Sequence, residues 1–361
     1  MKKICYIQPI VANYSVPLFS ELGRHWQLIV IYSPARITQG YDNDATANMN
    51  GVDSREISMI RPFGNKIGMY QVGIIRQLRK LRPDAVIIFA NMRYLSFWTT
   101  IFWCKVNGIP VFPRGHGVYR KDSPGLFWKI TYQVLLSVCT AYICYTPSVA
   151  ASLRRLGLPA KKIAVAENSL DNPHSVKPDE KTNAEHGILY IGRLRPGCRL
   201  GLLINSVKRL RDMGQSKVTL HIIGDGIESK RIRLLASEMP WVHFYGSVYE
   251  PERIKNISNC CMVGCYPGNA GLSIVHFMSL SLPPIVHDDM AAHGPEPSYI
   301  KSGENGLLFD HLNPEAGLLS ALIYMLEEPK ELKRMQAKAY ATYEQIAKPS
   351  LAMRIINIVG E

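Results

Sequence analysis

The feature that most constrains this chain is an alternation that runs through it twice. Short apolar runs of strand length keep giving way to segments with helical spacing. Residues 3–7, 27–32, 85–90, 110–113, 141–145 and 163–166 read as strands. Between them, residues 18–24, 69–81, 95–107, 127–139 and 148–156 read as helices, and 33–66 as a long polar loop with one short strand. A polar stretch, 169–187, interrupts the pattern. It then restarts, with strands at 188–191, 218–223, 242–245, 261–265 and 284–287, and a turn into a short strand over 305–309. The helices of this half are 200–213, 228–238, 251–259, 271–282, 314–326, 330–343 and 351–359. A strand that returns parallel to its predecessor needs a crossover long enough to hold a helix, so alternation of this kind argues parallel sheets covered on both faces. The fold class is therefore α/β, with two doubly wound domains and ligands beyond the carboxyl ends of their strands.

A chain of 361 residues is too long for one typical core and suits two. The expected domains are residues 1–168 and 188–345, joined by the linker 169–187, with a last helix in 346–361 packing back on the first domain. No segment approaches the roughly 18 consecutive apolar residues of a spanning helix. The lysines at the start precede an apolar run that Gln8, Pro9 and Asn13 break, which reads as a first strand and not a signal peptide. The eight cysteines form no Cys-x-x-Cys pair and sit mostly in apolar runs, as buried free thiols in a reducing compartment do. Localisation is expected to be cytoplasmic, with peripheral attachment to the inner membrane.

Charge divides the halves. Residues 1–168 hold 21 Lys+Arg against 8 Asp+Glu, whereas residues 169–361 hold 21 of each. The whole net charge of +13 therefore lies in the first half. Such a half suits an anionic membrane surface, a phospholipid-like substrate or nucleic acid. No recognition helix or stacking-aromatic motif stands out, so nucleic acid is not expected.

Several strand ends of the second half carry glycine-rich loops. These are Gly192-Arg193-Leu194, Gly224-Asp225-Gly226, Gly246-Ser247-Val248 and the loop before residues 271–282, Pro267-Gly268-Asn269-Ala270-Gly271. A glycine loop opening a buried helix turns backbone N–H groups toward an anion. In the first half, His116 lies between Gly115 and Gly117 directly after a strand, where a ligand can approach closely.

The order GRL, IIGDG, HFYGSV, PGNAGLSIVHFM, GPE and NGLLF resembles the donor domain of family-4 retaining glycosyltransferases of the GT-B fold, which have two Rossmann-like domains facing across a cleft. The resemblance implies a metal-independent hexosyltransferase without a cofactor. It would move a sugar from a nucleotide-diphosphate sugar to an acceptor hydroxyl with retention. The acceptor would be a saccharide or lipid-phosphate-linked saccharide of bacterial surface polysaccharide or lipopolysaccharide assembly. By position, Arg193 matches the family arginine that contacts the donor diphosphate. Where the family has a lysine for the same anion, this chain has Cys198, and Arg199 beside it is the substitute. Gly224 is expected to bring the chain close to the nucleotide, Val248 to meet the base through its backbone, and Gly271, Leu272 and Ser273 to offer N–H groups to the phosphates. The family's Glu-x7-Glu pair falls on Gly268 and His276, so neither carboxylate is present. Asn269 then takes the sugar contact, His276 the ribose hydroxyls, and Glu296 of Gly-Pro-Glu a weaker donor-side contact. Ser281 and Pro284 stand where the family has glycine and valine.

His116 matches a family histidine near the anomeric carbon and is the catalytic candidate. Tyr14, Arg93, Arg114 and Arg120 are candidate acceptor contacts. No metal is expected at Asp288-Asp289. Two other readings fit the same residues. One is a nucleotide-sugar 2-epimerase, which shares the architecture. The other is a degenerate domain that binds membrane through its basic half.

Overall fold

In the computed structural model, residues 1–34, 49, 51–61, 68–118, 125–170, 172, 174–181 and 186–360 are described. The chain divides into two compact units, Met1–Asn168 with Pro349–Glu361, and Ser169–Lys348.

The first unit holds β1 (Lys3–Ile7), α1 (Val16–His25), β2 (Gln27–Tyr32), β3 (Asp53–Glu56), β4 (Met59–Ile60), β5 (Tyr70–Gln71), α2 (Ile74–Leu81), β6 (Ala85–Phe89), α3 (Leu95–Val106), β7 (Val111–Gly115), α4 (Leu126–Val138), β8 (Tyr142–Cys144), α5 (Pro147–Arg155) and β9 (Ile163–Val165). Seven strands form one parallel sheet in the order β3-β2-β1-β6-β7-β8-β9. Alternation along the strands sends Cys5, Ile7, Ile29 and Ile31 into one core and Ile4, Tyr6, Leu28 and Val30 into another on the opposite face. Continuous apolar strands are what a sheet buried on both sides requires.

The second unit holds β10 (His186–Ile191), α6 (Leu200–Asp212), β11 (Val218–Ile223), α7 (Ser229–Leu235), β12 (Val242–Gly246), α8 (Pro251–Asn259), β13 (Cys261–Cys265), α9 (Ser273–Ser279), β14 (Pro284–His287), β15 (Leu307–Phe309), α10 (Pro314–Glu327) and α11 (Pro329–Ala347). Its six parallel strands run β12-β11-β10-β13-β14-β15. Strand order therefore reverses between β10 and β13, and the loops leaving these two strands diverge there, which leaves a crevice at their carboxyl ends.

The last helix, α12 (Leu351–Gly360), belongs to the first unit and buries Leu351, Ala352, Ile355 and Val359 beside α1. Arg354 pairs with Glu167 at 3.0 Å, and the Ser350 hydroxyl donates to Glu21.

Three elements depart from the pattern reading. Residues 69–81 are not one helix: β5 pairs antiparallel with β4, and α2 begins only after Gly73, which takes a left-handed φ of 82°. The strand at 110–113 extends to Gly115, so Arg114 lies inside β7 and not in a loop. The apolar run 271–282 holds a helix of only seven residues, α9. It stops because Ser281 is left-handed (φ 52°), and the N–H groups of Leu280 and Leu282 both return to the Phe277 carbonyl.

Candidate functional site

The loops leaving β10 and β13 are locked together at the point of strand reversal. The Ser273 hydroxyl donates to the Ile191 carbonyl at 2.8 Å. The Asn269 N–H donates to the Gly197 carbonyl at 3.0 Å, and Arg195 donates back to the Asn269 carbonyl at 3.3 Å. Tyr190 and Tyr266 stack at 4.9 Å, and the Tyr190 hydroxyl donates to the Arg193 carbonyl at 3.1 Å. Arg193 thus stands on a backbone fixed from below by a fully buried tyrosine, and Leu194 N–H ties the same turn to the Asp225 carbonyl.

Glycines permit this closeness. A Cβ at Gly224 (φ 144°) would lie 1.9 Å from the Gly192 carbonyl oxygen, and one at Gly226 would lie 2.3 Å from that of Leu194. The Gly-Asp-Gly turn is therefore required by backbone packing of one strand-end loop on the next. Its Asp225 accepts from Gly226 N–H and the Ser229 hydroxyl, which hold the carboxyl below its ordinary range, the hydroxyl foremost.

Position 268 admits no side chain. A Cβ at Gly268 would lie 2.0 Å from the Gly197 carbonyl, so the turn Pro196–Cys198 fills the space a side chain would need. A carboxylate nonetheless stands at this loop. Glu296 is buried, and its Oε2 lies where a Cβ at Gly294 would meet it at 2.7 Å, with the Gly271 Cα 3.1 Å from the same point. His276, half-buried on α9, is pushed down to about 4 by burial and stays neutral near pH 7.

The residue that pattern reading missed is His293. Its Nε2 bonds the His287 carbonyl at 2.8 Å and its Nδ1 accepts from Ala270 N–H at 3.0 Å. A carbonyl can only accept, so Nε2 carries the proton and the ring is neutral. Burial lowers its pKa, consistent with that form. Gly294 N–H donates to the Ala270 carbonyl at 2.7 Å, so His293 and Gly294 together grip both sides of Ala270. The sequence signal is only a histidine before Gly-Pro-Glu, because the partner lies 23 residues upstream.

Gly271, Leu272 and Ser273 precede the first bonds of the turn, Ile274 N–H to the Gly271 carbonyl and His276 N–H to that of Leu272. Their own N–H groups therefore lie outside the helix ladder. Arg199 is exposed at the start of α6 in a left-handed conformation (φ 51°), and its charge contributes to lowering the pKa of His287 and His293, after burial. Val248 is buried in the core of the second unit. Thus Arg193, Arg199, Gly224, Asn269, Gly271–Ser273 and Glu296 all lie at the carboxyl ends of β10, β11, β13 and β14.

Asp288 and Asp289 do not act as a pair. Asp288 bonds the His311 ring at 2.7 Å, whereas Asp289 accepts from Ala291 N–H. Among the described residues, Asp288, Asp310 and His311 form the one group of three or more whose ligand atoms lie within 4.8 Å of one another, on the protein surface.

In the first unit, His116 follows β7, with its ring 4.5 Å from that of Tyr145 and edge-on to Phe89. The Tyr142 hydroxyl accepts from Gly117 N–H at 3.0 Å, and a Cβ at Gly115 would meet that oxygen at 2.9 Å. Arg114 is buried, donating to the Tyr6 hydroxyl at 3.3 Å and to Asn168 at 2.9 Å, and its guanidinium lies 4.3 Å over the Tyr145 ring. It is turned to internal partners, and the expectation of a loop position facing an acceptor is corrected. Arg93 is exposed on the loop after β6, and Tyr14 is exposed in the short 3-10 helix Asn13–Ser15 after β1. Arg120 lies outside the described residues. All eight cysteines are free, seven of them buried. Among the described residues no helix is long and apolar enough to cross a membrane.

The chain matches two family models: Glycosyltransferase Family 4 over residues 18–172 and Glycosyl transferases group 1 over residues 173–342. No curated protein matches the sequence. Among solved structures, Anabaena HepE in complex with UDP and glucose is 12% identical, with 100% of both chains covered and a TM-score of 0.71. The lipopolysaccharide outer core galactosyltransferase WaaB is 16% identical, with 99% of both chains covered and a TM-score of 0.67. The pneumococcal O-GlcNAc transferase GtfA, in complex with UDP and GlcNAc, is 11% identical over 99% of each chain, with a TM-score of 0.72. At these identities the structures speak for the fold alone. Adjoining glycosyltransferase models, Family 4 and then group 1, thus span residues 18–342 of a chain whose two Rossmann-like sheets are of the GT-B kind.

Proposed function

We propose that this glycosyltransferase binds a nucleotide-diphosphate sugar on its second unit and transfers the sugar, with retention, to a hydroxyl of an acceptor held by its first. What supports the reading is the placement of Arg193, Arg199 and Gly271–Ser273 on the loops at the strand reversal, around a loop clamped by His293. Guanidinium groups and free N–H groups suit a diphosphate. UDP in the HepE and GtfA structures supports a nucleotide sugar as donor.

In the proposed reaction the acceptor oxygen bonds the anomeric carbon on the face from which the phosphate departs. The carbon–oxygen bond to phosphate breaks, and the acceptor proton passes to the leaving phosphate oxygen. Arg193 and Arg199 stabilise the charge that grows on the diphosphate. His116 steadies the sugar, and Glu296 and Asn269 hold its hydroxyls in place of the absent Glu pair. His276, neutral, serves the ribose, and the backbone at Val248 the base. Because arginines carry the anion's charge, the reaction needs no metal or cofactor. The basic first unit suits a saccharide on a lipid phosphate, in surface-polysaccharide or lipopolysaccharide assembly, a setting the WaaB likeness supports. Arg93 and Tyr14 are its exposed acceptor contacts.

The test is product analysis by NMR with a panel of nucleotide sugars, with and without acceptor and with EDTA. Transfer that keeps the anomeric configuration, persists in EDTA and requires acceptor is expected. An epimerised donor formed without acceptor would refute the reading.

A further inference from the structure

Two neighbouring helices of the first unit leave apolar side chains on their outer faces. α3 buries Phe97, Ile101 and Cys104 inward, yet Phe102 is 45% and Val106 85% exposed. α4 buries Tyr132, Leu135 and Leu136 inward, yet Leu126 and Phe127 are each 72% exposed, with Ile130 and Val134 also outside. Leu126, Ile130 and Val134 follow one another at a single turn's spacing, so they share one face. The two helices touch. Single exposed apolar residues are ordinary, but stripes on adjoining helices mark a surface that meets something.

The charge of the segment that carries the stripes says what. Residues 85–166, which contain both helices, hold ten Lys+Arg and one acidic residue, Asp122, so most of the chain's excess charge is here. Neither helix contains a carboxylate, and each presents an exposed lysine, Lys105 and Lys129. A second copy fits poorly, because a two-fold contact would set one basic segment against its equal. An anionic lipid surface satisfies both features, taking apolar side chains below its headgroups and lysines among them. We infer that the outer faces of α3 and α4 dock this protein on an anionic bilayer surface. The inference deepens the reading of a lipid-linked acceptor and rests on it for its purpose, but not for its residues.

Vesicle flotation tests it, using phosphatidylcholine vesicles with and without phosphatidylglycerol. The wild type is expected to float with the anionic vesicles only, and to be released by about 0.5 M salt. The triple variant L126S/F127S/I130S should lose at least about tenfold in binding. The variant K105E/K129E, which spares the apolar stripe, should lose a similar factor. Both should keep UDP binding, which separates this surface from the donor site. Failure of the wild type to bind anionic vesicles, binding unaffected by both variants, or a solution dimer that the triple variant dissolves would overturn the inference. Loss of UDP binding by the wild type itself would instead strike the proposed function.

Discussion

Replacing Gly224 with alanine tests the donor cradle at its tightest point. The new Cβ would sit 1.9 Å from the Gly192 carbonyl oxygen, against 3.4 Å for ordinary contact. The loop carrying Arg193 must then withdraw by about 1.5 Å, since neither backbone can deform locally. Displacement of a binding group by about 1 Å costs on the order of 100-fold in rate, or about 3 kcal/mol of transition-state stabilisation. Gly224 also has φ 144°, which side chains rarely adopt, so stability should fall by about 1–3 kcal/mol as well. Gly246→Ala supplies the control. Its φ is 69° but a Cβ there meets nothing within 4 Å, so it carries backbone strain of about 1 kcal/mol without a clash. With the nucleotide sugar that the wild type turns over, kcat/KM measured well below both melting temperatures should fall about 100-fold for Gly224→Ala and less than about threefold for Gly246→Ala. Wild-type kcat/KM in Gly224→Ala, or equal losses in both, would refute the claim that loop contact sets the position of Arg193.

Three further outcomes follow from named contacts. Restoring a family-like carboxylate with Gly268→Glu should lower activity and the melting temperature, because the Gly197 carbonyl occupies the space 2.0 Å from the new Cβ; a gain in donor affinity would contradict this. Ile355→Ala should cost about 2–5 kcal/mol in chemical denaturation, as α12 fills the core of the first unit, and a cost below about 1 would argue against that packing. Acid should act through the histidines. His221 and His287 are pushed down to about 4, chiefly by burial, so the unfolded chain takes up protons first. Their contribution is complete above about pH 6.5 and is lost as pH falls toward 4, by on the order of 3 kcal/mol for each. Burial holds His293 below the ordinary histidine range, and its protonation in acid would set an N–H against Ala270 N–H, so the donor KM should rise as the ring is protonated. Flat stability between pH 7 and about 4.5, or a donor KM that acid leaves unchanged, would contradict this.

The fold was largely legible because its strands are buried on both faces. Val218–Ile223, Cys261–Cys265, Pro284–His287 and helix Pro251–Asn259 match the pattern reading to the residue. What pattern could not show depends on contacts between distant segments. β5 exists only by pairing with β4, which displaces the start of α2. Arg114 reads as a loop cation beside Gly115 until Tyr6, Asn168 and Tyr145 enclose it. A serine in left-handed conformation ends α9 early, and local propensity gives no warning of it. At the candidate site the residues of the glycine loops were readable from their order. Their reasons were not: the exclusion of a side chain at 268 by Gly197, and the grip of His293 on Ala270, appear only when β10, β13 and β14 stand side by side.

Calorimetric titration of UDP into the wild type and into Arg193→Ala tests the central claim most directly. A nucleoside diphosphate held by this arginine should bind the wild type, and at least about tenfold more weakly, or about 1.4 kcal/mol, when the guanidinium is removed. Equal binding by the two proteins, or none of any nucleoside diphosphate by the wild type, would contradict a donor diphosphate site at the strand reversal of the second unit.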